Sequence, residues 1–195
     1  MSRVTSSVLR ASVAIVLVAC ADTSAPPPVP AAGDAGPPVV LPASALPRMT
    51  SAASSIDVDG LVNEVTHPDE LRAVLDESGF ASAAQRSFGA GTGAFSRVLA
   101  RGLTFETDDG AAAFVAWFED NAAEEIITAE RIVPHGVPDG VVVFRHRPDG
   151  CCHNDVPVYL AAWQRDSSVL VLHVGGRRTT TRAFVDLIAS YDQEV

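Results

Sequence analysis

Three cysteines and five histidines are spread unevenly through the 195 residues, and the densest chemistry falls in "RHRPDGCCHNDVP", Arg145 to Pro157. Cys151 and Cys152 are adjacent, with His153 next and His146 five residues before the pair. Soft thiolate and imidazole ligands suit Zn or Cu(I), so Cys151, Cys152, His153 and His146 form a candidate metal set, although their spacing matches no zinc-finger pattern. A disulfide between the two cysteines is the leading expectation. It would be strained, because adjacent α-carbons lie about 3.8 Å apart and ordinary bridges need about 4.4 Å or more. Free or buried thiols and thiol–disulfide exchange are the other readings of the pair.

Other stretches have weaker claims. "Gly89-Ala90-Gly91-Thr92-Gly93" has the glycines of a phosphate loop, but such loops sit between a strand and a helix, and here a strand-like segment follows. A hairpin turn is expected instead. The acids Glu119, Asp120, Glu124 and Glu125 fall on the polar side of a helical pattern and read as a solvated face. His135 and His173 read as structural, and Trp117 and Trp163 as core, with the lining of a pocket as the alternative. The chain carries no Gly-x-Ser-x-Gly elbow and no His-Glu-x-x-His pair. A non-enzymatic binding or interaction domain is therefore expected, with no cofactor and with an unidentified protein or small molecule as partner. The alternative is a thiol-redox or metal-handling protein centred on Cys151, Cys152 and His153.

The N-terminus bears on where such a domain works. "MSRVTSSVLR" has two arginines and no acid, and the apolar run from Ala11 to Ala21 is about half the length a spanning helix needs. "Leu17-Val18-Ala19-Cys20" resembles the lipobox of bacterial lipoproteins. That resemblance covers residues 1–20 and implies removal of residues 1–19 and a diacylglycerol on the Cys20 thiol. It implies a bilayer as partner through Cys20, and a place in the cell envelope facing outside the cytoplasm. Two or three acyl chains, at about 0.8 kcal/mol per buried methylene, give stable anchoring. Ala21, in place of an Asp after the lipid cysteine, is compatible with an outer membrane. Residues 20–50 hold eight of the thirteen prolines and read as a disordered tether, up to about 100 Å long if fully extended.

All fourteen basic residues are arginine, against 24 acids, and loss of Arg3 and Arg10 with the leader leaves a formal charge of −12. Such a surface repels phosphate backbones, which argues against nucleic acid as a partner.

Residues 51–195 are expected to form one α+β domain, large enough for a single core. "THPDELRAVLDESG" predicts a helix entered at Pro68, capped by Thr66 or His67 and stopped at Gly79. "SAAQRSF" and "FSRVLARGLTFET" predict two strands, the second half-buried, with Leu99, Leu103 and Phe105 on one side. "DDGAAAFVAWFEDNAAEEII" predicts a helix capped by Asp108 or Asp109 and buried through Ala111, Phe114, Val115, Phe118, Ala122 and Ile126. "GVVVFRH", "PVYLAAWQR" and "SVLVLHVGG" predict three more strands, followed by a helix from Thr179–Thr181 that buries Ala183, Phe184, Leu187, Ile188 and Tyr191. The expected order is α-β-β-α-β-β-β-α, an antiparallel sheet of about five strands with helices on it. The repeated Ala-Phe-Val at Ala113 and Ala183 hints at a duplicated strand–helix unit, and ferredoxin-like and PsbP-like domains serve as loose analogies.

Overall fold

The computed structural model describes residues 37–125, 129–146 and 156–194. Seven strands make one sheet: β1 (Thr50–Ile56), β2 (Phe80–Gly89), β3 (Arg97–Phe105), β4 (Ala129–Ile132), β5 (Val142–His146), β6 (Val158–Arg165) and β7 (Ser168–Gly175). Their spatial order is β1-β2-β3-β7-β6-β5-β4, and every neighbouring pair is antiparallel. Among the described residues four α-helices accompany it: α1 (Val58–Val62), α2 (Pro68–Glu77), α3 (Asp108–Glu125) and α4 (Thr181–Asp192).

The α+β class and the antiparallel sheet are as expected, but the count of about five strands and the order α-β-β-α-β-β-β-α are corrected by β1, α1 and β4. Each has a physical reason for leaving no signal. β1 is an edge strand exposed on both faces apart from Ile56, so "TSAASSI" has no inward face to alternate with an outward one. α1 spans five residues and β4 four, too short to show a period.

The sheet is covered on both sides. On one face, Leu61 of α1, Leu71 and Leu75 of α2, and Phe114 and Phe118 of α3 pack on Leu103, Phe105 and Phe144. On the other, Phe184, Leu187, Ile188 and Tyr191 of α4 pack on Val98, Ala100, Leu170 and Leu172. β3 is therefore buried on both sides, where a half-buried strand was expected. Dual coverage also explains why β6 and β7 read as nearly unbroken apolar runs.

The second face has an additional cover. Residues 37–49, expected within the tether, lie on the sheet beside α4, with Leu41 fully buried in that core. Gly102 makes the approach possible: a β-carbon built there would stand 2.0 Å from the Val39 carbonyl oxygen. The Tyr191 hydroxyl lies 2.9 Å from both the Val39 and the Arg101 carbonyl oxygens and shares its one proton between them. The prolines that disguised this segment are compatible with its stretch up to Pro42, which has no strand pairing, and with the single 3-10 turn over Ala43–Ala45 that follows.

Local entries to the helices are mostly simple. Asp57 accepts from Gly60 N at 2.8 Å to cap α1, and Thr180 accepts from Ala183 N at 3.2 Å to cap α4. Pro68 opens α2 at its first turn after His67, whose side chain makes no capping bond. α3 is capped by Thr107, which accepts from Gly110 N at 3.1 Å, and not by Asp108 or Asp109. Those acids fall inside the first turn, where they favour the positive helix end.

Candidate functional site

Beneath α3, between it, the α1–α2 connection and the strands β3, β7 and β6, lies a cavity of about 180 Å³. Its walls are mainly apolar, from Leu71, Leu103, Phe114, Phe118 and Val171 among others. Sheet register sets its floor: Arg101 faces Val171, and Leu99 faces His173, which in turn faces Leu160. Alternation along β3 and β7 turns Leu99, Arg101, Leu103, Val171 and His173 to one face, beneath α3.

Arg101 is the anchored polar group. Its side chain is 15% exposed, its Nε donates to Gln85 Oε1 at 3.1 Å, and its guanidinium pairs with the Glu64 carboxylate. Glu64 is 48% exposed and follows the short α1, so the pair joins a fixed cation to a carboxylate at the surface. His173 stands one residue pair along the same face. Its burial lowers its basicity below the ordinary imidazole value, Arg97 and Arg101 push the same way, and Glu64 opposes them. It is therefore a neutral imidazole at neutral pH.

Trp117 of α3 also lines the cavity, with its ring 5.9 Å from that of Phe114. Its indole Nε1 is buried and has no hydrogen-bond partner among the described residues. A buried donor without an acceptor costs about 1–3 kcal/mol. Trp163, by contrast, is a core residue of the other face, fully buried with its Nε1 donating to Asp192 Oδ1 at 2.9 Å. Trp163 is core, as favoured, whereas Trp117 follows the alternative of lining a pocket, and His173, expected to be structural, is part of the cavity wall.

Arg101 and Glu64 had no place in the sequence reading, although one signal was available. Arg101 interrupts the apolar run "VLARGLTF", and His173 interrupts "VLVLHV". A charged and a titratable residue in strands otherwise buried on both sides have to face either each other or a cavity.

Cys20, Cys151, Cys152 and His153 lie outside the described residues, as does Ile126. His146 is the member of the candidate metal set that is described. It ends β5, paired across the sheet with Ala129 and Val158, in the row beyond that of Leu160 and His173. Among the described residues no three His, Cys, Asp or Glu side chains cluster as metal ligands. None of the helices among the described residues is long and apolar enough to cross a membrane. The glycine-rich stretch is a hairpin connection between β2 and β3, with Ala90 in a left-handed conformation (φ 56°), as the hairpin reading expected.

No family model matches the chain, and neither does any curated protein. Among solved structures, the chain is similar to the crystal structure of the extracellular domain of PknH from Mycobacterium tuberculosis, with a TM-score of 0.47 and 13% identity over 78% of this chain and 90% of that one.

Proposed function

We propose that this chain is a lipid-anchored envelope protein whose folded domain binds a small, largely apolar molecule with a polar end in the cavity beneath α3. The observation that carries the reading is the cavity itself, in which apolar walls meet three convergent polar side chains, Glu64, Arg101 and His173. An apolar pocket with a few placed polar groups is the usual form of a small-molecule site. The polar groups orient and neutralise charge, and the domain acts by binding rather than turnover. The Leu17-Val18-Ala19-Cys20 sequence and the short apolar run before it support attachment to a bilayer through Cys20, outside the cytoplasm.

Ala122 is 2% exposed on the cavity wall, so Ala122→Phe would fill the space from α3. Backbone resonances of Leu103, Phe114 and Val171 should shift when small apolar compounds are titrated into the wild-type chain, and should stay fixed in the filled variant. Unchanged spectra in the wild type across such a panel would refute the binding reading. Attachment is tested separately: Cys20→Ser should move the protein from the membrane to the soluble fraction.

A further inference from the structure

We infer that the cavity ligand is a small carboxylate with a body about the size of one aromatic ring, whose carboxylate takes the place of Glu64 on Arg101. The inference rests on the binding reading above and specifies its ligand.

The sign of the ligand charge follows from which member of the ion pair can leave. Arg101 is 15% exposed, rises from the middle of β3 and is held at Nε by Gln85. Glu64 is 48% exposed and follows a five-residue helix. A cationic ligand would have to take Glu64 and leave a largely buried guanidinium without a counter-charge, which is unfavourable. An anionic ligand would take Arg101 and return Glu64 to water, at little cost for a half-exposed carboxylate. Guanidinium presents a planar fork that matches a carboxylate with two parallel hydrogen bonds. Glu64 thus occupies the position that the ligand's carboxylate would claim.

Two further observations agree. Trp117, on the same wall, carries a buried Nε1 donor with no acceptor among the described residues. His173 is neutral and sits beside Arg101, so it brings no second positive charge and can serve the ligand as a hydrogen-bonding group. The size follows from volume: a 150 Å³ apolar cavity is known to take benzene, and this one measures about 180 Å³. Its aromatic walls, Phe114, Trp117 and Phe118, suit a flat ring.

The test is calorimetric titration of the purified full-length chain with phenylacetate and with 2-phenylethanol, a neutral compound of similar shape, at neutral pH and low salt. Phenylacetate should bind at least about tenfold more tightly, since a hydrogen bond to a charged group is worth that much. Arg101→Gln should bring the two affinities together. Glu64→Gln should tighten phenylacetate alone by about two- to fivefold, and this half-exposed position keeps the test open if Arg101→Gln fails to fold. Ala122→Phe should abolish both.

Equal affinities in the wild type, with Glu64→Gln without effect, would overturn the carboxylate inference and leave the apolar cavity as a site. Binding of phenylacetate that survives Ala122→Phe would overturn it too, by placing the anion elsewhere on the surface. Failure of both compounds to bind the wild type would remove this ligand class, while the panel titration decides separately on the cavity.

Discussion

Adding a single methyl group at Gly102 should detach the N-terminal segment from the sheet. The β-carbon would meet the Val39 carbonyl oxygen at 2.0 Å, a backbone atom that cannot rotate away, so the chain around residues 37–41 has to move. Two stabilising interactions go with it. Leu41, fully buried, contributes about 1.5–3 kcal/mol, and the Tyr191 hydroxyl bond to Val39 contributes about 0.5–1.5 kcal/mol. Against this, alanine restricts the unfolded chain more than glycine and returns about 0.4–1 kcal/mol. The net loss for Gly102→Ala is about 1–4 kcal/mol, and its centre near about 2.5 kcal/mol corresponds to roughly 5–10 °C in Tm for a chain of this size. Urea denaturation gives the free energy, and hydrogen exchange at Leu46 and Met49, whose amides bond back to Ala43 and Leu46, shows whether the segment is released. In a Leu41→Ala background the same substitution should cost less than about 1 kcal/mol, because the interactions it breaks are already weakened. Full stability in Gly102→Ala with those amides still protected would refute the argument.

Gly110→Ala sets a β-carbon 2.0 Å from the Ser78 carbonyl oxygen and should cost about 1–3 kcal/mol by urea titration, through separation of α2 and α3. His173 makes stability depend on pH. Its folded-state pKa lies below the ordinary 6.5, so the unfolded chain binds the proton first. The stabilisation is complete above about pH 6.5 and is lost as pH falls through the folded value. His173→Gln should flatten that part of the stability curve, and an unchanged slope between about pH 7 and 5 would contradict the burial argument. For Cys151 and Cys152, a disulfide predicts a mass gain of about 2 Da on reduction, and a bound metal predicts instead an adduct in native mass spectra that Cys151→Ser removes.

The elements that sequence patterning found are those with a buried side to reveal. α2 shows Leu71 and Leu75 at helical spacing above Gly79, whose φ of +67° ends it, and α4 shows Phe184, Leu187, Ile188 and Tyr191 in the same way. β6 and β7 were legible because two covered faces leave little polar sequence in them. β1 was not, since serine and alanine on a strand exposed on both faces resemble a linker. Residues 37–49 misled for the opposite reason, with proline and alanine around Leu41 masking a segment whose burial depends on Gly102, 61 positions away. The cavity was illegible because it depends on α1 and on non-sequential pairing of β3 with β7, which sets Arg101 beside Val171 and next to His173. Local periodicity holds no information about that neighbour.

Because the sheet separates two cores, it also separates the two indoles. Trp163 sits on the α4 side, with Tyr191 edge-on at 5.5 Å and Asp192 on its nitrogen, while Trp117 sits on the α3 side against Phe114. Each layer thus carries its own intrinsic fluorophore. A chain with Trp163→Phe emits from the cavity side alone, and one with Trp117→Phe emits from the side that holds Leu41. Superimposable melting curves from the two would mean that the layers unfold as one cooperative unit, and divergent curves would reveal the order in which they let go.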